Sequence, residues 1–219
     1  METFVFYSVE GVAKKSLEFL RGPRIALLGG NTFTALVREW VPEISRRIQE
    51  GESFRFFPVD ERAVPFEDAA SNWGSVYEHL LLPCGLVEQK THHVTTAQMF
   101  LELLQKEFGS EPIIFDTVFL GMGEDGHVAS LFPGHAALQN LTSLVIDISD
   151  SPKPPAKRVT LGLRPIQESK SLVLVALGKG KAEAVRRIMD SDESLPATRV
   201  LQNHPNAVLL LDTEAASLL

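Results

Sequence analysis

His127 stands in the stretch Gly121-Met122-Gly123-Glu124-Asp125-Gly126-His127-Val128-Ala129-Ser130-Leu131-Phe132-Pro133-Gly134, with two carboxylates just before it. Histidine is the side chain best placed to move a proton near neutral pH, and a tight loop seldom carries three titratable groups. Glycines at 121, 123 and 126 free the backbone for positive φ and for close approach to a ligand. The apolar run Val118-Phe119-Leu120 reads as a buried strand feeding this loop. In an open α/β sheet, the loop at a strand's carboxyl end is where ligands bind. The reading is a small polar substrate at this loop, with His127 as the proton-transfer group. The local pattern also fits a loop histidine bonded to a neighbouring carboxylate.

Other stretches are suited to an anion. Arg24-Ile25-Ala26-Leu27-Leu28 ends in Gly29-Gly30-Asn31-Thr32, and a helical pattern of Leu36, Val37 and Trp40 follows at once. Strand, glycine turn and helix N-terminus together present free N–H groups and the positive end of the helix dipole. Asn31 or Thr32 can equally be a simple helix cap. Leu177 is followed by Gly178-Lys179-Gly180-Lys181 and a helix from Ala182, the same theme with lysines at the turn. Asp60-Glu61-Arg62 closes an aromatic strand and is either a polar exit to solvent or a ligand-facing cluster. Its arginine offers the planar fork that suits phosphate or carboxylate.

These stretches must be positioned by the elements between them. Strands are expected at residues 3–7, 24–28, 53–59, 115–120, 144–148, 171–177 and 207–211. Helices are expected after Ser8, across 33–49, at 73–82, 95–108 and 182–189, with a short helix or turn at 196–201. Met99, Leu103 and Leu104 make the inward face of the 95–108 helix. Strands and helices alternate, which predicts an α/β fold: a three-layer, Rossmann-like, mostly parallel sheet with helices on both faces. The glycine turns after Leu28, Leu120 and Leu177 and the charged exit at Asp60 then meet at one edge. No linker or repeat divides residues 1–219, so one domain is expected.

The chain has 219 residues, a 44% hydrophobic and 22% charged composition, and a formal charge of −7. That charge argues against nonspecific nucleic-acid binding. It is uneven: residues 153–187 carry nine Lys or Arg against Glu168 and Glu183. Such a segment is either an anion site or a solvated basic face. The single Cys84 cannot form an internal disulfide and reads as a small hydrophobe at a helix end. No segment has the length of a signal peptide or a membrane span, so a soluble, cytoplasmic protein is expected. His92 and His93, read as strand neighbours, point to opposite faces. No histidine or cysteine spacing matches a metal site.

With these residues together, the sequence resembles the 6-phosphogluconolactonases, a family related to the glucosamine-6-phosphate deaminases. The resemblance spans nearly the whole chain. It rests on residues 121–134, Asp60-Glu61-Arg62 and Lys153-Pro154-Pro155-Ala156-Lys157-Arg158-Val159-Thr160, supported by the Gly29 and Gly178 turns and by Ser71-Asn72. The Asp-Gly-His core is shared with the deaminases, whereas Ala-Ser-Leu-Phe-Pro-Gly and Pro-Pro-Ala-Lys-Arg-Val-Thr resemble the lactonases. Asn31 and Phe33 depart from the serine and proline usual in the phosphate loop.

The resemblance implies hydrolysis of 6-phospho-D-glucono-1,5-lactone to 6-phosphogluconate in the oxidative pentose phosphate pathway, without metal or organic cofactor. It implies His127 as general base, Asp125 orienting it, and Arg62 or glycine-turn amides facing the oxyanion. Gly29, Gly30, Asn31, Thr32, Asp60, Arg158 and Lys181 then bind the phosphosugar. Ser130 lacks the nucleophile elbow and reads as structural or capping. The expected partner is a small phosphosugar lactone, with no nucleic acid or membrane, and the chain is expected to be a monomer or weak dimer. The rival readings are a phosphosugar isomerase-deaminase and a non-catalytic sugar-phosphate sensor.

Overall fold

The computed structural model describes residues 1–202 and 204–219. In chain order the first half runs β1 (Glu2–Phe6), α1 (Val9–Leu17), β2 (Arg24–Leu27), α2 (Gly30–Gln49), β3 (Arg55–Pro58), β4 (Asp60–Arg62), α3 (Asn72–Val76) and α4 (Ala97–Phe108). The second half runs β5 (Thr117–Gly121), β6 (Val145–Ile148), β7 (Arg158–Leu161), α5 (Leu163–Gln167), β8 (Leu172–Ala176), α6 (Ala182–Met189), α7 (Pro196–Gln202) and β9 (Ala207–Asp212).

Six strands form one sheet in the order β1-β9-β8-β5-β2-β3, with every neighbouring pair parallel. Its strands are apolar on both faces, as a covered parallel sheet requires. The two-residue side-chain period sorts them. Phe119, Val173, Val175, Val208 and Leu210 face α1, α2 and α3 through Val12, Leu36, Trp40 and Trp73. Val118, Leu120, Leu172, Leu174, Leu209 and Leu211 face α4, α6 and α7 through Phe100, Leu104, Val185 and Val200. The expected α/β architecture, with helices on both faces of a mostly parallel sheet, is therefore present.

A second sheet, β4-β7-β6, is antiparallel and was not anticipated from the alternation of elements. Only Val59 separates β3 from β4, and a parallel crossover needs a dozen or more residues. The short connection lets β4 leave the main sheet and pair with β7, so Asp60-Glu61-Arg62 is a strand rather than an exit to solvent. Val59 joins the two sheets: its N–H donates to Leu27 O at 3.0 Å, and its carbonyl accepts from Leu161 N–H at 2.8 Å.

Several local expectations change with the tertiary context. Ser8 caps α1 through Gly11 N–H as expected. The cap of α2, however, is Gly29 with no side-chain hydrogen bond, so Asn31 and Thr32 lie inside the first turn. Met99 is exposed, and Phe100, Leu103, Leu104 and Phe108 make the buried face of α4. His92 ends a 3₁₀ helix, Val87–His92, rather than lying on a strand, and its ring is stacked between Phe57 and Trp73. Phe33 points into the core, edge-on to Trp40 at 6.4 Å.

Candidate active site

Because the strands of the main sheet run in parallel, the loops after β2, β5 and β8 emerge on one side. They line a cleft of about 500 Å³ that includes Gly29, Gly30, Asn31 and Thr32, together with Asp60, Arg62, Gly123, His127, Lys153, Arg158 and Lys181. Gly121, Asn72 and Ala129 also line it. Asp125 is not on this wall itself and reaches the site through His127. A larger groove, about 810 Å³, lies at the opposite ends of the strands, where Lys170 pairs with Asp116 and Lys15 with Glu18.

The loop after β5 is closed by its own backbone: Gly123 N–H donates to His127 O at 2.9 Å, and Gly126 N–H donates to Gly123 O at 3.0 Å. The closure brings His127 Nδ1 to 2.5 Å from Asp125 Oδ1. With Nδ1–H donating to the carboxylate, Nε2 carries the free lone pair of the neutral ring. Burial holds the His127 pKa below its ordinary value, assisted by the Lys153 charge and opposed by Asp125 and Asp60. Against burial, the His127 hydrogen bond and the Lys153 charge keep the Asp125 carboxyl below its usual range. The pair at neutral pH is thus a carboxylate and a neutral imidazole. The ring packs on Phe132 at 4.6 Å between centroids.

The opposite wall is built for negative charge. The first amides of α2 have no side-chain cap, and the N-terminal dipole end faces the cleft. Gly29 is required there, since a Cβ would fall 2.2 Å from Asn72 Cγ. Asn72 is held by Nδ2–H donation to Asp60 O at 3.1 Å, and its Oδ1 has no partner among the described residues. Lys181, half-buried at the turn before α6, has no carboxylate within ion-pair distance among the described residues. Burial lowers its pKa, with Glu124 pulling the other way. Arg62 donates through Nη1 to Ala70 O at 2.7 Å, while its Nε is buried without a partner among the described residues.

Two polar knots hold this wall. Glu61 is fully buried and accepts from the Arg62 and Asn72 amides at 2.7 Å each, from Trp73 N–H at 2.5 Å and from Ser71 Oγ–H at 3.1 Å. Its carboxylate thus serves the N-terminus of α3. Burial pushes the Glu61 carboxyl up to about 7, against the pull of those amides. Ser130 Oγ–H donates to Asp60 Oδ2 at 2.5 Å, beside Arg158 Nη1 at 3.4 Å. Ser130 is fully buried with its hydroxyl spent on Asp60, and it caps no helix.

The basic segment divides. Arg164, Arg186 and Arg187 pair on the surface with Glu168, Glu183 and Asp192, and Lys170 pairs with Asp116. Lys153, Arg158 and Lys181 go to the cleft. The sequence reads Lys153 as part of the segment's charge and of the 153–160 motif, and Glu61 and Asn72 as parts of motifs, with no role of their own. Their local sequence carried no sign of position, because each acts on residues brought close by β4 and the 149–157 connection. Among the described residues no group of three or more His, Cys, Asp or Glu is arranged to hold a metal. No described helix is long and apolar enough to cross a membrane.

The parallel α/β sheet thus carries a histidine-carboxylate pair and an uncapped helix start together at its carboxyl edge, the place where ligands bind in sheets of this class. Residues 6–210 match the family described as glucosamine-6-phosphate isomerases/6-phosphogluconolactonase, and the chain belongs to that family. It is 38% identical to the human 6-phosphogluconolactonase and 34% identical to that of Rattus norvegicus, in each case over 95% of this chain and 86% of the relative. The structure of 6-phosphogluconolactonase from Trypanosoma cruzi superposes with a TM-score of 0.82 at 28% identity, covering 99% of this chain and 96% of that one.

Proposed function

We propose that the protein is a 6-phosphogluconolactonase, an enzyme hydrolysing 6-phospho-D-glucono-1,5-lactone to 6-phospho-D-gluconate in the oxidative pentose phosphate pathway. The observation that carries the reading is the meeting, in one cleft, of a neutral, carboxylate-held His127 with an uncapped helix N-terminus and with Lys181, which has no ion-pair partner among the described residues. The curated lactonase relatives, matched over most of their length, supply the substrate class.

In this mechanism the α2 amides of Gly30, Asn31 and Thr32 and the Lys181 ammonium hold the phosphate, which fixes the lactone carbonyl near His127. His127 Nε2 takes a proton from water as the water oxygen bonds to C1. The resulting oxyanion is met by Arg62 or by amides of the glycine turns. The C1–ring oxygen bond then breaks, and the imidazolium returns its proton to the ring oxygen, leaving a carboxylic acid that ionises. Asp125 stabilises the imidazolium while it exists.

The test is the loss of freshly generated lactone against buffer and against His127→Ala, since the lactone also hydrolyses unaided. Turnover by the native chain, near-buffer loss with the variant and retained binding of 6-phosphogluconate support the reading. Binding without turnover would make the protein a sensor. Ammonia release from glucosamine 6-phosphate would make it a deaminase.

A further inference from the structure

Arg158 starts β7, yet its side chain is committed to the connection that precedes it. Nε–H donates to Pro155 O at 3.1 Å, and Nη2–H donates to the carbonyls of Lys153 at 3.1 Å and Pro154 at 3.2 Å. Nη1 lies 3.4 Å from Ser130 Oγ and 3.8 Å from Asp60 Oδ2. Arg158 is 5% exposed, with Nε and Nη2 committed to loop carbonyls and Nη1 left only the longer contacts to Ser130 and Asp60. A bidentate phosphate clamp needs two of those N–H groups free. The fork instead fixes three successive carbonyls of the loop.

Lys153 is the residue those bonds place. Its backbone is also bracketed by Ser151, whose hydroxyl donates to Lys153 O at 2.8 Å and lies 3.2 Å from Lys153 N. From this anchored backbone the side chain crosses to the loop after β5. Its ammonium lies 3.4 Å from Asp125 Oδ1 and 3.5 Å from His127 Nδ1. A cation at that point attracts the ionised carboxylate and opposes a second positive charge on the ring. The groups facing the imidazole are Asp125 on its own loop, Asp60 from β4, Lys153 from the 149–157 connection and the Phe132 ring.

We propose that Lys153 is a positioning residue of the proton-transfer pair, keeping His127 a free base at lower pH, and that Arg158 acts through it by anchoring the loop rather than by clamping phosphate. The proposal rests on His127 being the base of the lactonase reading, but its central measurement does not need turnover. The Lys153 side chain is 44% exposed, so solvent screens its charge and a modest effect is expected.

The experiment follows the His127 imidazole by NMR titration in the native chain, Lys153→Met, Lys153→Arg and Arg158→Lys, alongside kcat and KM for the lactone between pH 5.5 and 8. In Lys153→Met the midpoint should rise by about half to one pH unit. The loss of kcat should be several-fold at the acid end and smaller at the alkaline end, with KM little moved. Lys153→Arg should restore the native midpoint, and Arg158→Lys should share the upward shift. An unmoved midpoint in Lys153→Met overturns the role of Lys153. A rise in KM with an unmoved midpoint in Arg158→Lys overturns the anchor and makes Arg158 a phosphate ligand. If the native chain shows no turnover, the lactonase reading fails, while the titration still decides the electrostatic arrangement.

Discussion

Gly123 and His127 share a space that admits only one side chain: a Cβ built on Gly123 falls 2.0 Å from His127 Nδ1 and 2.5 Å from Asp125 Oδ1. The glycine is what lets the loop fold back with the histidine and its carboxylate inside it. Gly123→Ala should therefore displace the imidazole while leaving the sheet intact. A misplacement near 1 Å at a reacting group costs about 10²-fold in rate. The expected result is a kcat lowered by about that factor with an unchanged unfolding midpoint by circular dichroism. Near-native kcat would show that the ring does not need its present position.

The pH dependence follows from the direction of the His127 shift. Its pKa in the fold lies below the ordinary 6.5, because burial disfavours the imidazolium. As a base it is more than half deprotonated at pH 6.5 and increasingly so above it, and kcat/KM should fall as pH drops through the lowered value. The stability sign is the same. The unfolded chain binds more protons around pH 6, so the neutral ring contributes stability above 6.5 that is lost as pH falls through the folded value. Comparing urea midpoints of the native chain and His127→Gln from pH 5 to 8 checks this. The native chain should lose more stability than the variant on acidification.

Lys181 separates binding from chemistry. It stands at the cleft with no carboxylate within ion-pair distance among the described residues, beside the uncapped first amides of α2. Lys181→Ala should raise KM about tenfold, equivalent to about 1.4 kcal/mol. The change in kcat should be smaller, and inhibition by inorganic phosphate should weaken in parallel. A loss confined to kcat would place Lys181 at the reacting carbonyl instead.

Glu61 should matter for stability rather than for the chemical step. Its two oxygens accept from three backbone amides and the Ser71 hydroxyl. Glu61→Gln keeps the shape but turns an NH₂ toward groups that are themselves donors. An unsatisfied buried donor costs about 1–3 kcal/mol. The denaturant midpoint should fall accordingly, with the slope retained. A midpoint equal to the native one would mean that the Ser71 hydroxyl and local water re-form the cap.

The six parallel strands and their helices were legible because each is a local pattern. Continuous apolar runs such as 172–176 and 207–211 are bounded by glycines or polar turns, and amphipathic helices lie between them. The antiparallel β4-β7-β6 sheet was not legible. Its pairing depends on the one-residue gap at Val59 and on which strand happens to lie opposite. Met99 was misplaced because helical spacing defines a face but not where that face ends, and α4 buries Phe100 instead. Phe33, a departure from the family's phosphate loop, turned out to be core packing against Trp40.

By itself the sequence determined the chemistry available to this protein: a histidine in a glycine loop, glycine turns before two helices, and an excess of cations in one segment. Those properties are local, since residue type, φ freedom and helix start are decided over a few neighbouring positions. Tertiary structure decided the division of labour. It sent Arg186 and Arg187 to surface carboxylates, tied Arg158 to the carbonyls of its own loop, placed Lys181 in the cleft and set Lys153 against His127. A charge acts on whatever lies within a few ångströms of it, and that distance is fixed only when β4, β7 and the loop after β5 are packed together.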